Sequence, residues 1–226
     1  PYKAGAYHPA RWRGWREFGA GTLGDMGCHI FDPVFSGLGL GAPREVVSRG
    51  PEHGAESFAA DGDIRYTFAG TDVTADVLSM RWTDGSGESR PDLARARRAG
   101  LPEDVDLPGA GSFLIGEEGL LVIPHWSTPR VFRGGEELVG DASGLELRDS
   151  RNHYHEWTDA CRGEGATSTP FSFAGPLTEA VLVGTVAGCF RHRELSWDSS
   201  ELRFGDEEVD ALVQRDYREG WRPKGL

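Results

Sequence analysis

Residues 19–38, GAGTLGDMGCHIFDPVFSGL, constrain the rest of the chain most. Leu23, Met26, Ile30, Phe31, Val34, Phe35 and Leu38 recur at helical spacing and cover almost the whole circumference, so the helix they predict must be buried. Thr22 followed three residues on by Asp25 reads as a capping box with Asp in the acidic place, which puts the helix start near Leu23. Gly37, Gly39, Gly41 and Pro43 end it. Pro33 cannot donate to the carbonyl of His29, so a kink is expected just past that residue.

The few hydrophilic positions of this helix are concentrated. At about 100° per residue, Asp25, His29, Asp32 and Ser36 fall within a stripe about 60° wide. A solvated stripe carries Lys, Glu or Arg; these shorter groups suit the wall of a cavity. Asp25 and His29, four apart, are neighbours on one face. A carboxylate beside an imidazole fixes its tautomer and raises its basicity, as an orienting group does for a general base. The same pair also serves as a satisfied polar network in a core. A divalent ion on Asp25, His29 and Asp32 would need a further ligand, such as His125 or His153. The simpler reading has no metal.

Residues 1–18 form an irregular lead-in, rich in aromatic and basic side chains and without a steady period. Their plainest role is a strap over the core. Trp15 and Phe18, just ahead of the glycine turn, could also form a wall of the cavity, where flat rings suit the C–H faces of a sugar. Residues 19–226 then read as one domain, within the size that builds a single substantial core.

Strand signals cluster after the first helix: 44–49, 63–68 and 73–82, with Gly70-Thr71-Asp72 as a turn. Val73, Ala75 and Val77 alternate with Leu78, Met80 and Trp82, which suggests a central strand or a sheet covered on both faces. Residues 83–110 form a long connection with one short helix at 92–98. Its Arg95, Arg97 and Arg98 could hold a phosphate, though a solvated face explains them as well. Hairpins follow at 112–123, around Gly116–Gly119, and at 129–139, around Gly134-Gly135. Asn152 caps a helix over 152–161 with Tyr154, Trp157 and Cys161 on one face. His153 lies in its first turn and could project into a site. Residues 177–190 form an apolar helix with Pro176 in its first turn and Gly184 and Gly188 set for close packing. A final hairpin is expected at 194–204 and an exposed helix at 206–218, acidic at its start and basic at its end. Strands run together rather than alternating with helices, which predicts an α+β fold: one large, mostly antiparallel open sheet with helices packed on one face.

A net charge of −12 argues against nucleic acid or an anionic membrane as partner. No apolar run reaches the length of a membrane span, and no basic-then-apolar leader opens the chain. Cys28, Cys161 and Cys189 lack metal-site spacing and read as buried, reduced thiols of a reducing, cytoplasmic compartment. With Pro as its first residue, the chain reads as a segment of something longer. There is no dinucleotide fingerprint: Gly19–Gly24 is glycine-rich but no strand leads into it.

The run W-R-G-W-x-x-F-G-x-G-x-L-G-D-M-G-C-H-I-F-D-P, from Trp12 to Pro33, resembles the C-terminal half of the Gfo/Idh/MocA oxidoreductases, the family of glucose–fructose oxidoreductase and inositol 2-dehydrogenase. Ala174–Leu182, His153–Cys161, Gly111-Ser112 with Gly116–Gly119, and Tyr217–Trp221 add to the likeness. The resemblance implies the substrate-binding and oligomerisation domain of an NAD- or NADP-dependent enzyme acting on a sugar or polyol, with the doubly wound nucleotide-binding domain and its lysine motif outside this chain. It implies a homo-oligomer through the sheet face. Asp25 and His29 carry over to the family's D-x-x-x-H pair: His29 takes the proton from a substrate hydroxyl, and Asp25 orients the imidazole or a neighbouring hydroxyl. Asp32, Trp15, Phe18 and His153 are the further candidates for substrate contact. Two other functions remain open: a non-catalytic carbohydrate-binding or assembly module, and an NAD-assisted glycoside hydrolase or lyase.

Overall fold

A computed structural model describes residues 4–85, 92–139, 152–214 and 217–224. After a 3-10 turn at Trp12–Gly14 come helix α1 (Gly21–Leu38), strands β1 (Glu45–Ser48), β2 (Gly62–Ala69) and β3 (Val77–Asp84), helix α2 (Asp92–Arg98), and strands β4 (Gly111–Ile115), β5 (Leu120–Pro124), β6 (Arg130–Arg133) and β7 (Glu136–Leu138). Helices α3 (His153–Cys161) and α4 (Phe171–Ala187), strand β8 (Glu194–Ser196) and helix α5 (Glu207–Asp210) complete it. The fold is α+β, with every pair of these strands antiparallel. The expected single large sheet is instead two four-stranded sheets, ordered β3-β2-β1-β8 and β4-β5-β6-β7. The second is a meander of consecutive hairpins; the first recruits β8 to the side of β1 away from β2.

The first sheet sets Val46, Ile64, Tyr66, Phe68, Trp82 and Leu195 on one face, all buried beneath α1 and α4. Phe31 meets Tyr66 and Trp82 edge-on, and Phe35 meets Phe68 the same way. The two helices approach closely because small residues stand between them. A Cβ on Gly27 would lie 3.0 Å from Val181 Cγ2, and one on Gly184 would lie 2.8 Å from Leu23 Cδ2 and 1.9 Å from the Tyr66 hydroxyl. Gly188 has the same role against the His53 ring. The second core is smaller: Ala96 and Leu101 around α2 cover Leu120, Val122 and Phe132 of the meander.

Several boundaries differ from the sequence reading. Helix α1 starts at Gly21, with Ala20 as N-cap and no side-chain cap, so the Thr22–Asp25 box does not form. Its end is as expected: Gly39 is left-handed and, with Leu40, returns N–H groups to the Phe35 carbonyl. Strand β3 is an edge strand. Val73 sits in a turn held by the Thr71 N–H to Thr74 Oγ1 bond, and Val77 is exposed, so the second apolar face of the pattern covers nothing. The 83–110 connection carries α2 at the expected residues; 86–91 lie outside the described residues.

The hairpins at Gly116–Gly119 and Gly134-Gly135 form as expected; both glycines of the second have positive φ, as a two-residue primed turn requires. Asn152 caps α3, accepting from the Tyr154 and His155 N–H groups, but Tyr154, Trp157 and Cys161 are exposed. Helix α4 begins at Phe171, which places Pro176 inside it rather than in its first turn. The expected final hairpin is a single bridge, Asp198 to Arg203, because β8 spends its pairing on β1. Asp206 caps a helix of one turn only; 215 and 216, within the expected longer helix, lie outside the described residues. The cysteines are free but not all buried: Cys28 and Cys161 are exposed and Cys189 is half-buried. Among the described residues no helix is long and apolar enough to cross a membrane.

Candidate functional site

The candidate site is an outward shelf on α1 where the lead-in segment and the second sheet meet it. The lead-in is pinned, not loose: the Arg16 N–H donates to the Glu56 carbonyl and the Phe58 N–H to the Gly14 carbonyl, with Trp15 opposite Ser57. Gly19 turns the chain back tightly, and a Cβ there would stand 2.3 Å from the Arg13 carbonyl oxygen. That turn delivers the Arg13 guanidinium to Asp25, Nε to Oδ2 at 2.9 Å. The contact is one of charge rather than an aligned hydrogen bond.

Asp25 is therefore paired with Arg13, and among the described residues no hydrogen bond or ion pair joins it to His29. His29 is exposed, with its ring centroid 5.7 Å from that of His125. Asp32, half-buried, is near enough to feel its charge. Burial pushes the Asp32 carboxyl above the ordinary Asp value, and a charged His29 pulls it back. The shelf thus gathers a carboxylate with a fixed counter-ion, two imidazoles and a second carboxyl held toward its neutral form.

His125 reaches His29 through two fixed joints. The Ser112 hydroxyl donates to the Ile30 carbonyl at 3.0 Å, tying β4 to α1 one residue past His29. The His125 N–H donates to the Ala110 carbonyl at 3.0 Å, closing the ladder in which Pro124 faces Gly111. Gly111 has φ +147°, and a Cβ there would lie 2.4 Å from the Ile123 carbonyl oxygen, so the approach depends on glycine. Trp126 follows, 89% exposed, its ring 4.3 Å from that of His125 and edge-on to it.

The other candidates are dispersed. Phe18 stacks on Tyr7 at 5.2 Å and Trp15 lies half-buried in the strap. His153, on α3, has its ring tilted against that of its neighbour Tyr154, and no ring contact or hydrogen bond brings it to His29 among the described residues. No cluster of three or more His, Cys, Asp or Glu side chains suited to a metal ion occurs among the described residues. Of the arginine cluster on α2, Arg97 faces Glu103 and Asp106 at 3.8 Å each.

A more enclosed space lies elsewhere. A small cavity under the first turn of α1 is lined by Gly21, Leu23, His53, Phe58, Asp84 and Thr185 among others, but by neither Asp25 nor His29. His53 accepts from the Ala59 N–H at Nδ1, and burial, helped by the Arg16 charge, lowers its pKa to about 4 against the pull of the Thr185 carbonyl. Asp84 accepts from the Trp82 indole N–H at 2.8 Å, and burial pushes its carboxyl up.

Sequence reasoning found the stripe but placed it on a cavity wall; the structure opens it outward. It considered His125 only as a metal ligand and missed Arg13, Trp126 and His53. The sole local hint was His125-Trp126 directly after a strand, the end of an element where site residues collect. Against models of known families and against curated proteins, the chain matches none.

Proposed function

We propose that this chain is the substrate-binding and oligomerisation part of an NAD(P)-dependent oxidoreductase acting on a sugar or polyol hydroxyl, with His29 as its acid/base group. The observation that carries the reading is His29, exposed on the outward side of α1, with Asp32, His125 and the Arg13–Asp25 pair around it. Placed so, the imidazole reaches a ligand from the open side and accepts the proton of a hydroxyl. Asp32 tempers the positive charge that follows. Asp25, already neutralised by Arg13, accepts a hydrogen bond from a neighbouring hydroxyl without adding a free charge to the shelf. This revises the orienting role that spacing suggested for Asp25; Asp32 is the carboxyl that senses His29.

The described residues hold no parallel β-α-β unit and therefore no dinucleotide cradle. The cofactor would be held by a separate domain, and when bound it supplies the acceptor for the substrate hydride. The outer face of the first sheet, carrying Arg65, Thr67, Val77 and Ser79, is the surface offered to a second copy.

The test titrates NADH and NADPH, by nicotinamide fluorescence, against this chain alone and against the polypeptide that also carries the segment encoded directly upstream. Binding in the second case only, with alcohol-dependent reduction of NAD or NADP lost in His29→Ala, is the expected result. Turnover that survives His29→Ala removes His29 from the chemistry. Absence of nucleotide binding in both cases, with sugar binding retained, leaves a carbohydrate-binding module.

A further inference from the structure

We propose that Trp126, steadied by His125, is the platform on which the ring of a pyranose or cyclitol lies, its hydroxyl edge turned to His29. The proposal takes its ligand class from the preceding reading and adds a subsite that the sequence placed elsewhere, on Trp15 and Phe18. Those two rings are poor platforms: Phe18 stacks on Tyr7 and Trp15 is half-buried in the strap. Trp126 is the opposite case. At 89% exposed it leaves nearly all of a large apolar face in water, and one of its neighbours is an imidazole edge-on at 4.3 Å.

The steps of 5.7 Å from His29 to His125 and 4.3 Å from His125 to Trp126 keep the indole within about 10 Å of the His29 ring. One sugar ring with its hydroxyls spans such a gap. The chemistry is matched at both ends. The C–H face of the ring buries apolar area on the indole, while its hydroxyl rim meets two imidazoles and the Asp25 and Asp32 carboxyls. The backbone that carries the platform is also tied down, which a loop-borne aromatic needs if it is to position a ligand. The Ser112 to Ile30 and His125 to Ala110 hydrogen bonds fix the end of β5 to α1, and the Gly111 backbone lies against β5 with no room for a side chain.

The experiment uses the full chain and four named probes, D-glucose, D-xylose, D-glucitol and myo-inositol, followed by ligand-observed saturation-transfer NMR and isothermal titration. Trp126→Ala and His29→Asn are compared with the parent. The exposed position of Trp126 makes its removal harmless to folding, which circular dichroism checks. The expected result is binding of at least one cyclic probe to the parent and a loss of about tenfold in Trp126→Ala. Parent-like binding in Trp126→Ala with binding lost in His29→Asn overturns the platform and leaves His29 at the ligand. Loss in Trp126→Ala with none in His29→Asn upholds the platform and removes His29 from the ligand's edge. Failure of the parent to bind any of the four overturns the proposal. So does a Trp126→Ala chain that only changes its sedimentation coefficient, which would make the indole part of a protein interface.

Discussion

His53 shows how a single residue ties stability to pH. Its Nδ1 accepts from the Ala59 N–H, and its backbone N–H donates to the Gly188 carbonyl at 3.0 Å, which fixes the residue against the end of α4. Burial first and the Arg16 charge second hold its pKa at about 4. An unfolded His titrates near 6.5, so between those values the unfolded chain binds a proton that the folded chain refuses. Stability attributable to His53 is therefore intact above about pH 6.5 and falls as the pH drops toward about 4. Asp84 and Asp32, whose carboxyls are raised by burial, act in the opposite sense in acid. The contribution of His53 is isolated by difference: urea unfolding at several pH values from 7 to 4 is expected to show a steeper loss in the parent than in His53→Gln. Identical slopes in the two proteins would remove His53 from the acid response.

At the scale of elements, what was legible was local. Paired glycines marked the two hairpins, Asn152 marked the cap of α3, and Gly39 marked the end of α1, because each acts on its own backbone within a few residues. What depended on a distant partner was not. Val73 and Val77 imitate a second buried face, and only the sheet order shows that β3 has a single neighbour. Asp25 reads as a helix cap or a partner for His29 until the turn at Gly19 brings Arg13 to it. The glycines of α4 lie between these cases: their spacing announced close packing, but not that Gly184 receives the Tyr66 hydroxyl. That hydroxyl is buried without a hydrogen-bond partner. Gly184→Ala drives a methyl into it and is expected to cost about 1–3 kcal/mol in urea unfolding. Tyr66→Phe removes a buried unpaired group and should be neutral or slightly stabilising. In the Tyr66→Phe background the Gly184→Ala penalty should shrink, since the nearest atom is gone; Leu23 Cδ2 at 2.8 Å keeps it above zero. Equal penalties in the two backgrounds would place the strain elsewhere.

Across the whole molecule, two cores must act as one if the shelf is to keep its shape, because His29 stands on α1 over the first core and His125 follows β5 of the second. Among the described residues, two polar joints lie between these halves. One is Ser112 on the Ile30 carbonyl. The other is Arg81 on β3, which donates from Nε and Nη2 to both oxygens of Asp63 at 2.8 and 2.7 Å and reaches Asp92, the first residue of α2, at 3.4 Å. All three side chains are more than four-fifths buried. Removing the cation strands two carboxylates, of which Asp63 keeps Arg65 at 3.7 Å. Arg81→Met should therefore cost about 2–3 kcal/mol, more than Asp92→Asn, which leaves the two-pronged bond to Asp63 intact. The location of the loss matters as much as its size. With Arg81 gone, α2 and the meander it covers should gain amide exchange ahead of α1 and α4, whereas Gly184→Ala should speed exchange in the first core. Uniform acceleration throughout the chain in Arg81→Met would mean that the halves open together and that this ion cluster is not their joint.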